Sequence, residues 1–170
     1  MAVALDPLDR KILAAVQMDA SRSLDDLARE VGASKTPVWN RLKKLKASGV
    51  IRDQVMVLDP QALGLDACFF VLIRTSEHDA DWLARFMAAL QSLPEVVEAH
   101  RLAGDIDYIL KVRVPNPKAY DDFYRALISQ VSIFNVTSTL SMEEIKATTA
   151  LPLPTEDELP ARRRPATQGA

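Results

Sequence analysis

The apolar positions of this chain change their spacing near residue 50, and that change divides it. Before it, apolar residues recur three and four apart: Leu8, Ile12, Leu13 and Val16, then Leu24, Leu27, Ala28 and Val31, then Val38, Leu42 and Leu45. Each stripe turns one side of a helix toward a core, so three helices are expected. Asp6-Pro7 opens the first. Ser23 stands where it caps the second, with Asp26 three residues on at capping-box spacing, and Gly32 ends it. Ser34 stands at the N-cap of the third, Pro37 falls in its first turn where a missing N–H has no helical partner, and Gly49 stops it. Two short β-prone runs follow, Val50–Arg52 and Val55–Leu58, separated by Asp53-Gln54 and closed by Asp59-Pro60. They read as a small wing hairpin.

From Leu65 the period alternates between 2 and 3.6. Residues 67–75, 96–102, 108–114 and 133–140 read as strands; Trp82, Leu83, Phe86, Met87 and Leu90 mark one helix, and Tyr120, Phe123, Tyr124, Leu127 and Ile128 another. The order β-α-β-β-α-β predicts a ferredoxin-like unit, a four-stranded antiparallel sheet with both helices on one face. The fold class is therefore α+β: a winged helix-turn-helix over 1–60, a ferredoxin-like domain over 61–150, and a tail over 151–170. In Ala67-Cys-Phe-Phe-Val-Leu-Ile73 both alternating faces are apolar, whereas a sheet with one wet face alternates apolar and polar. A second copy covering the helix-free face, in a twofold dimer, satisfies this pattern; a strand inside a larger single-chain core is the other reading. The tail is rich in Pro with block charges, a composition expected to stay disordered; Arg162, Arg163 and Arg164 are positioned either to touch phosphate or simply to be solvated.

Charge sharpens the first half. The net charge of −2 over 170 residues argues against a nucleic-acid binder, but its distribution does not. Val31–Arg52 holds no Asp or Glu and six cations, while 61–150 carries eight basic and twelve acidic residues. Local charge decides where a phosphate backbone docks. At 100° per residue Val38, Leu42 and Leu45 share one side of the third helix; Thr36, Asn40 and Lys43 fall opposite, flanked by Lys35, Trp39 and Lys44. A recognition helix meets base edges with its N-terminal half. Asn40 suits adenine and Thr36 a thymine methyl or a phosphate, while Lys35, Lys43 and Lys44 suit phosphate. Arg41 lies toward the core-side edge, where it braces the helix or meets the backbone of DNA. Trp39 either touches DNA or packs on the wing.

Leu8-Asp9-Arg10-Lys11-Ile12-Leu13, Leu24-x-x-Leu27-Ala28, Val31-Gly32-x-Ser34, Arg41-Leu42-x-x-Leu45 and Gly49-Val50-Ile51, followed by Pro94-Glu95-Val96, Gly104-Asp105-Ile106-Asp107-Tyr108 and Lys146, resemble the leucine-responsive/AsnC (Lrp/AsnC) family of bacterial transcription regulators. The resemblance covers about residues 5–150. Residues 119–128, 135–138 and 142–152 are also similar to a cysteine-responsive subgroup. The family resemblance implies sequence-specific binding of double-stranded DNA by Ser34, Lys35, Thr36, Trp39, Asn40, Arg41, Lys43 and Lys44. It also implies a free amino acid, cysteine or another, held between dimers near Ala103, Gly104, Asp105, Ile106, Asp107 and Tyr108, with Ser138 and Thr139. Backbone N–H groups at a glycine turn suit a carboxylate, and an Asp suits an ammonium. Ala103 replaces a common Thr and Ile106 a common aromatic, which leaves the ligand's identity open; an ordinary strand-joining turn is the plain alternative.

Nothing in the sequence composes a catalytic constellation. His78 and His100 are isolated, Cys68 sits in an apolar strand, and no phosphate-binding glycine loop occurs. An enzyme, a cofactor and a metal are not expected. One cysteine precludes an internal disulfide, no apolar run reaches bilayer length, and the N-terminus lacks a secretory pattern. These features point to the cytoplasm, and the family resemblance implies a nucleoid-associated homodimer assembled to an octamer or another multiple of dimers. The competing reading is an architectural protein compacting DNA with little sequence preference.

Overall fold

A computed structural model describes residues 3–77 and 79–153. The chain forms two compact units: one holds the chain up to Met56 together with the stretch from Ala147, the other spans Val57–Lys146. In the first, α1 (Pro7–Met18), α2 (Leu24–Val31) and α3 (Lys35–Ala47) enclose Ile12, Leu13, Leu27, Ala28, Val31, Val38 and Leu45. Asp6 caps α1 in a complete capping box with Asp9. At α2 the Ser23 hydroxyl accepts from the Asp26 N–H at 3.1 Å and donates to its carboxylate at 2.6 Å, in place of the reciprocal backbone bond expected of a box. Gly32 closes α2 at φ 72°, a left-handed conformation open to glycine.

Two expectations are corrected here. Residues 52–59 form no strand, so the wing hairpin is absent. Val55–Leu58 lie 65–88% exposed. Asp53-Gln54 supplies neither residue with the positive φ of a tight hairpin turn, and the Gln54 amide donates instead to the Ala20 carbonyl at 3.0 Å. Val50 and Ile51 pack on the helical core, with the Ile51 N–H donating to the Leu45 carbonyl. Second, Leu151–Leu153 do not begin a detached tail. The Gln17 amide accepts from the Leu151 N–H at 3.0 Å and donates to its carbonyl at 3.1 Å, and Leu153 packs against the first core. A primary amide carries both a donor and an acceptor, so one side chain satisfies both backbone groups. Arg162, Arg163, Arg164 and His78 lie outside the described residues.

The second unit has the order β1 (Ala67–Arg74), α4 (Ala80–Ser92), β2 (Val96–Arg101), β3 (Tyr108–Val114), α5 (Pro117–Gln130) and β4 (Asn135–Leu140). The antiparallel sheet runs β2-β3-β1-β4. Asp79 and Asn116 cap the helices through their side chains. Alternation on β1 and β3 turns Ala67, Phe69, Val71, Ile73, Leu110, Val112 and Val114 toward Trp82, Phe86 and Ala89 of α4 and Phe123 and Leu127 of α5. The Trp82 indole donates to the Ser132 carbonyl at 2.6 Å. On the opposite face Phe70, Leu72 and Ile109 make an apolar strip, bordered by Lys111 bonded to Glu98 at 3.2 Å and Arg113 bonded to Glu144 at 2.8 Å.

Candidate DNA-reading surface and effector loop

The tight link between α2 and α3, Gly32-Ala33-Ser34, holds α3 with Val38 and Leu45 buried and Thr36, Asn40, Lys43 and Lys44 exposed. α3 carries no carboxylate of its own. Ser34 occupies the N-cap in extended conformation, yet its side chain makes no capping bond. Its hydroxyl and the unpaired N–H groups of the first turn therefore remain open to an anion. Trp39 is 46% exposed, and the Lys43 ammonium stands 3.5 Å over its ring. With no wing beside it, the reading in which Trp39 packs on one is removed.

Two expected DNA contacts have partners inside the protein. Arg41 is turned away from the reading face: its guanidinium bonds Asp6 and, at 3.0 Å, Asp9, which is 3% exposed. The Asp9 N–H and then Arg41 hold the Asp6 carboxyl below its ordinary range, while burial opposes them; Asp6 and Asp9 raise Arg41 in return. A buried carboxylate needs such a partner. Arg41 braces α1 against α3, the first of the two roles expected of it, and a contact to the DNA backbone would have to compete with these two carboxylates. Lys35 forms an ion pair with Asp25 of α2, an acid at the border of the reading surface that sequence reasoning passed over.

The 102–107 turn joins β2 to β3. Gly104 has φ 145°, a conformation that L side chains rarely adopt. Ala103, Gly104 and Asp105 are exposed and Ile106 is half-buried. Asp107 faces inward: its carboxylate accepts from the Thr75 N–H at 2.8 Å and its N–H donates to the Ile73 carbonyl at 3.0 Å. It ties the turn to the end of β1, with one carboxylate oxygen engaged by that bond. Tyr108 packs among Trp82 and Phe86, with centroids 5.9 and 4.8 Å away, a core aromatic. Ser138 and Thr139 lie on β4, separated from β3 by β1, about 10 Å at ordinary strand spacing. They also point to opposite faces. Ser138 shares a hydrogen bond with the Tyr120 hydroxyl on the helix side, whereas Thr139 pairs in register with Phe70 on the other. Burial raises the Tyr120 pKa and the bond to Ser138 opposes it. The expected effector set is thus not assembled within one chain. An open groove of about 440 Å³ runs between α4 and β2, floored by Leu83, Phe86, Met87 and Leu90, with Arg101 at its end beside the turn.

Residues 5–46 match the AsnC-type helix-turn-helix domain, and residues 68–151 match the Lrp/AsnC ligand binding domain. The chain belongs to the Lrp/AsnC family. It is 43% identical over 150 residues to the DNA-binding transcriptional activator DecR of Escherichia coli K12, covering 88% of this chain and 99% of that protein. The crystal structure of an AsnC family regulator from Agrobacterium tumefaciens superposes with a TM-score of 0.84 at 47% identity, covering 87% of this chain and 97% of that one. A Neisseria meningitidis transcriptional regulator solved in complex with L-Met gives a TM-score of 0.83 at 29% identity, covering 88% and 97%. This Lrp/AsnC chain is a DNA-binding transcriptional regulator and not an enzyme. Among the described residues no cluster of His, Cys, Asp and Glu suits a metal, and no helix is long and apolar enough to cross a membrane.

Proposed function

We propose that this regulator reads operator DNA through Thr36 and Asn40, grips phosphate through Ser34, Lys43, Lys44 and, on release from Asp25, Lys35, and changes its DNA affinity when a free amino acid binds between dimers. The observation that carries the reading is the carboxylate-free face of α3, exposed from Thr36 to Lys44 and backed by the buried Val38 and Leu45. A twofold dimer through the Phe70–Leu72–Ile109 face is favoured by that apolar strip, whose charged border pairs within the chain. Dimers then associate into an octamer or another multiple in the cytoplasm. The Gly104 turn offers backbone N–H groups to the ligand carboxylate and Asp105 to its ammonium. Ser138 and Thr139 face opposite sides of β4, so only one of them, supplied by a neighbouring copy, joins that site. The L-Met bound to the Neisseria protein supports a small amino acid as the ligand class.

Mobility shifts of the full chain on its own upstream DNA, with and without each of the twenty amino acids, test this. One amino acid is expected to change affinity or oligomer size; unchanged values with all twenty would remove the sensing half. Asn40→Ala should weaken the specific site more than random DNA, whereas Lys43→Ala should weaken both and flatten the salt dependence. Equal affinity for promoter and random duplex in the unmodified protein would favour DNA compaction instead.

A further inference from the structure

Trp39 is the fifth residue of α3, in the half of a recognition helix that approaches base edges, one residue before Asn40 and one turn beyond Thr36. A tryptophan normally buries most of its large apolar area. Here it is 46% exposed, while the surrounding reading face is polar and cationic. The Lys43 ammonium, four residues on, sits 3.5 Å from the ring centroid. This stacking limits the rotamers open to both side chains and places a cation directly beside an apolar surface. In a duplex the feature that matches such a surface in the major groove is the 5-methyl group of thymine, the one apolar atom group a base presents there. The phosphate flanking that base then falls to Lys43.

We infer that Trp39 is a specificity-determining residue that selects thymine through its 5-methyl group, with Lys43 holding the ring in place. The inference rests on the DNA-reading surface proposed above and adds to it a thymine contact made by Trp39, separate from the thymine methyl or phosphate contact expected of Thr36.

The test uses the full chain and a duplex selected from a random pool by the unmodified protein, in which each thymine is replaced singly by deoxyuridine, which lacks only the methyl. At one thymine per half-site the replacement is expected to lower affinity about four-fold, the effect of one methyl left in water, and about fifteen-fold when both half-sites are changed. Trp39→Ala should bind the thymine site more weakly and show no further loss on deoxyuridine. Trp39→Leu, which keeps an apolar side chain on an exposed position, should retain part of the discrimination. Lys43→Met should flatten the salt dependence and shrink the thymine preference. The inference is overturned if no deoxyuridine substitution weakens the unmodified protein, if Trp39→Ala keeps the full penalty, or if Trp39→Ala weakens selected and random DNA equally, which would make the ring a backbone contact. A protein that enriches no sequence from the pool overturns this inference and the regulator reading together. Enrichment with no role for Trp39 overturns this one alone.

Discussion

Asp25 is expected to hold DNA affinity down, and Asp25→Asn should raise it. Asp25 pairs with Lys35, the first residue of α3, across the α2–α3 link, and both side chains are more than half exposed. An exposed pair of this kind contributes below about 1 kcal/mol to folding, so the substitution should leave the melting temperature nearly unchanged. Its effect on DNA is larger. A lysine released to a phosphate adds about 0.9 to the slope of log affinity against log salt. Two copies of α3 in a dimer steepen the slope by up to about 1.8. Over a four-fold rise in salt, from about 50 to about 200 mM, the variant should therefore lose about ten-fold more affinity than the unmodified protein, having started tighter. Fluorescence anisotropy with a labelled duplex at five salt concentrations reads both quantities. An unchanged slope with an intact fold would show that Lys35 does not reach phosphate, and would remove it from the DNA-contacting set.

Three further outcomes follow from the fold. Leu127→Ala, at a position with no exposed surface in the second core, should cost about 3 kcal/mol in urea denaturation, and a loss below about 1 kcal/mol would contradict the packing described. Because Asp6 titrates below its ordinary value of 3.8 when folded, its stabilising effect is complete above that value and is lost as pH falls through the lower folded value. Acid unfolding of the helical unit followed by circular dichroism should therefore move toward neutral pH in Arg41→Met, and an unmoved midpoint would deny the brace. Gly104→Ala forces a side chain into φ 145° and should destabilise by about 1–2 kcal/mol or shift the turn; a thermal melt identical to that of the unmodified protein would show that the turn relaxes freely.

The helix-turn-helix was legible because its stripes, caps and glycine stop are local. Val38 and Leu45 are buried and Thr36 and Asn40 exposed, as a period of 3.6 requires. The same reasoning misread Val55–Leu58, since β propensity describes a side chain that has a neighbouring strand to pack on, and here none is present. Arg41 was legible as a core-side residue by its angle, but its partners Asp6 and Asp9 are more than thirty positions away. The Asp6-x-x-Asp9 spacing that opens α1 was the available sign of that acidic pair. Ser138 and Thr139 are adjacent on a strand, and the period of 2 already placed them on opposite faces, so a site that takes both side chains of one strand was excluded by alternation alone. The inward turn of Asp107 had no local signal, because its anchors, Ile73 and Thr75, belong to another strand.

The Gln17 amide clasp on Leu151 bears on how this protein is handled at the bench. It fixes residues that follow the sheet unit in the chain to α1 of the helical unit, so a truncation made just after the sheet unit also strips Leu153 from the helical core. A marker meant to follow the ligand domain alone belongs on an exposed position of α4 or α5.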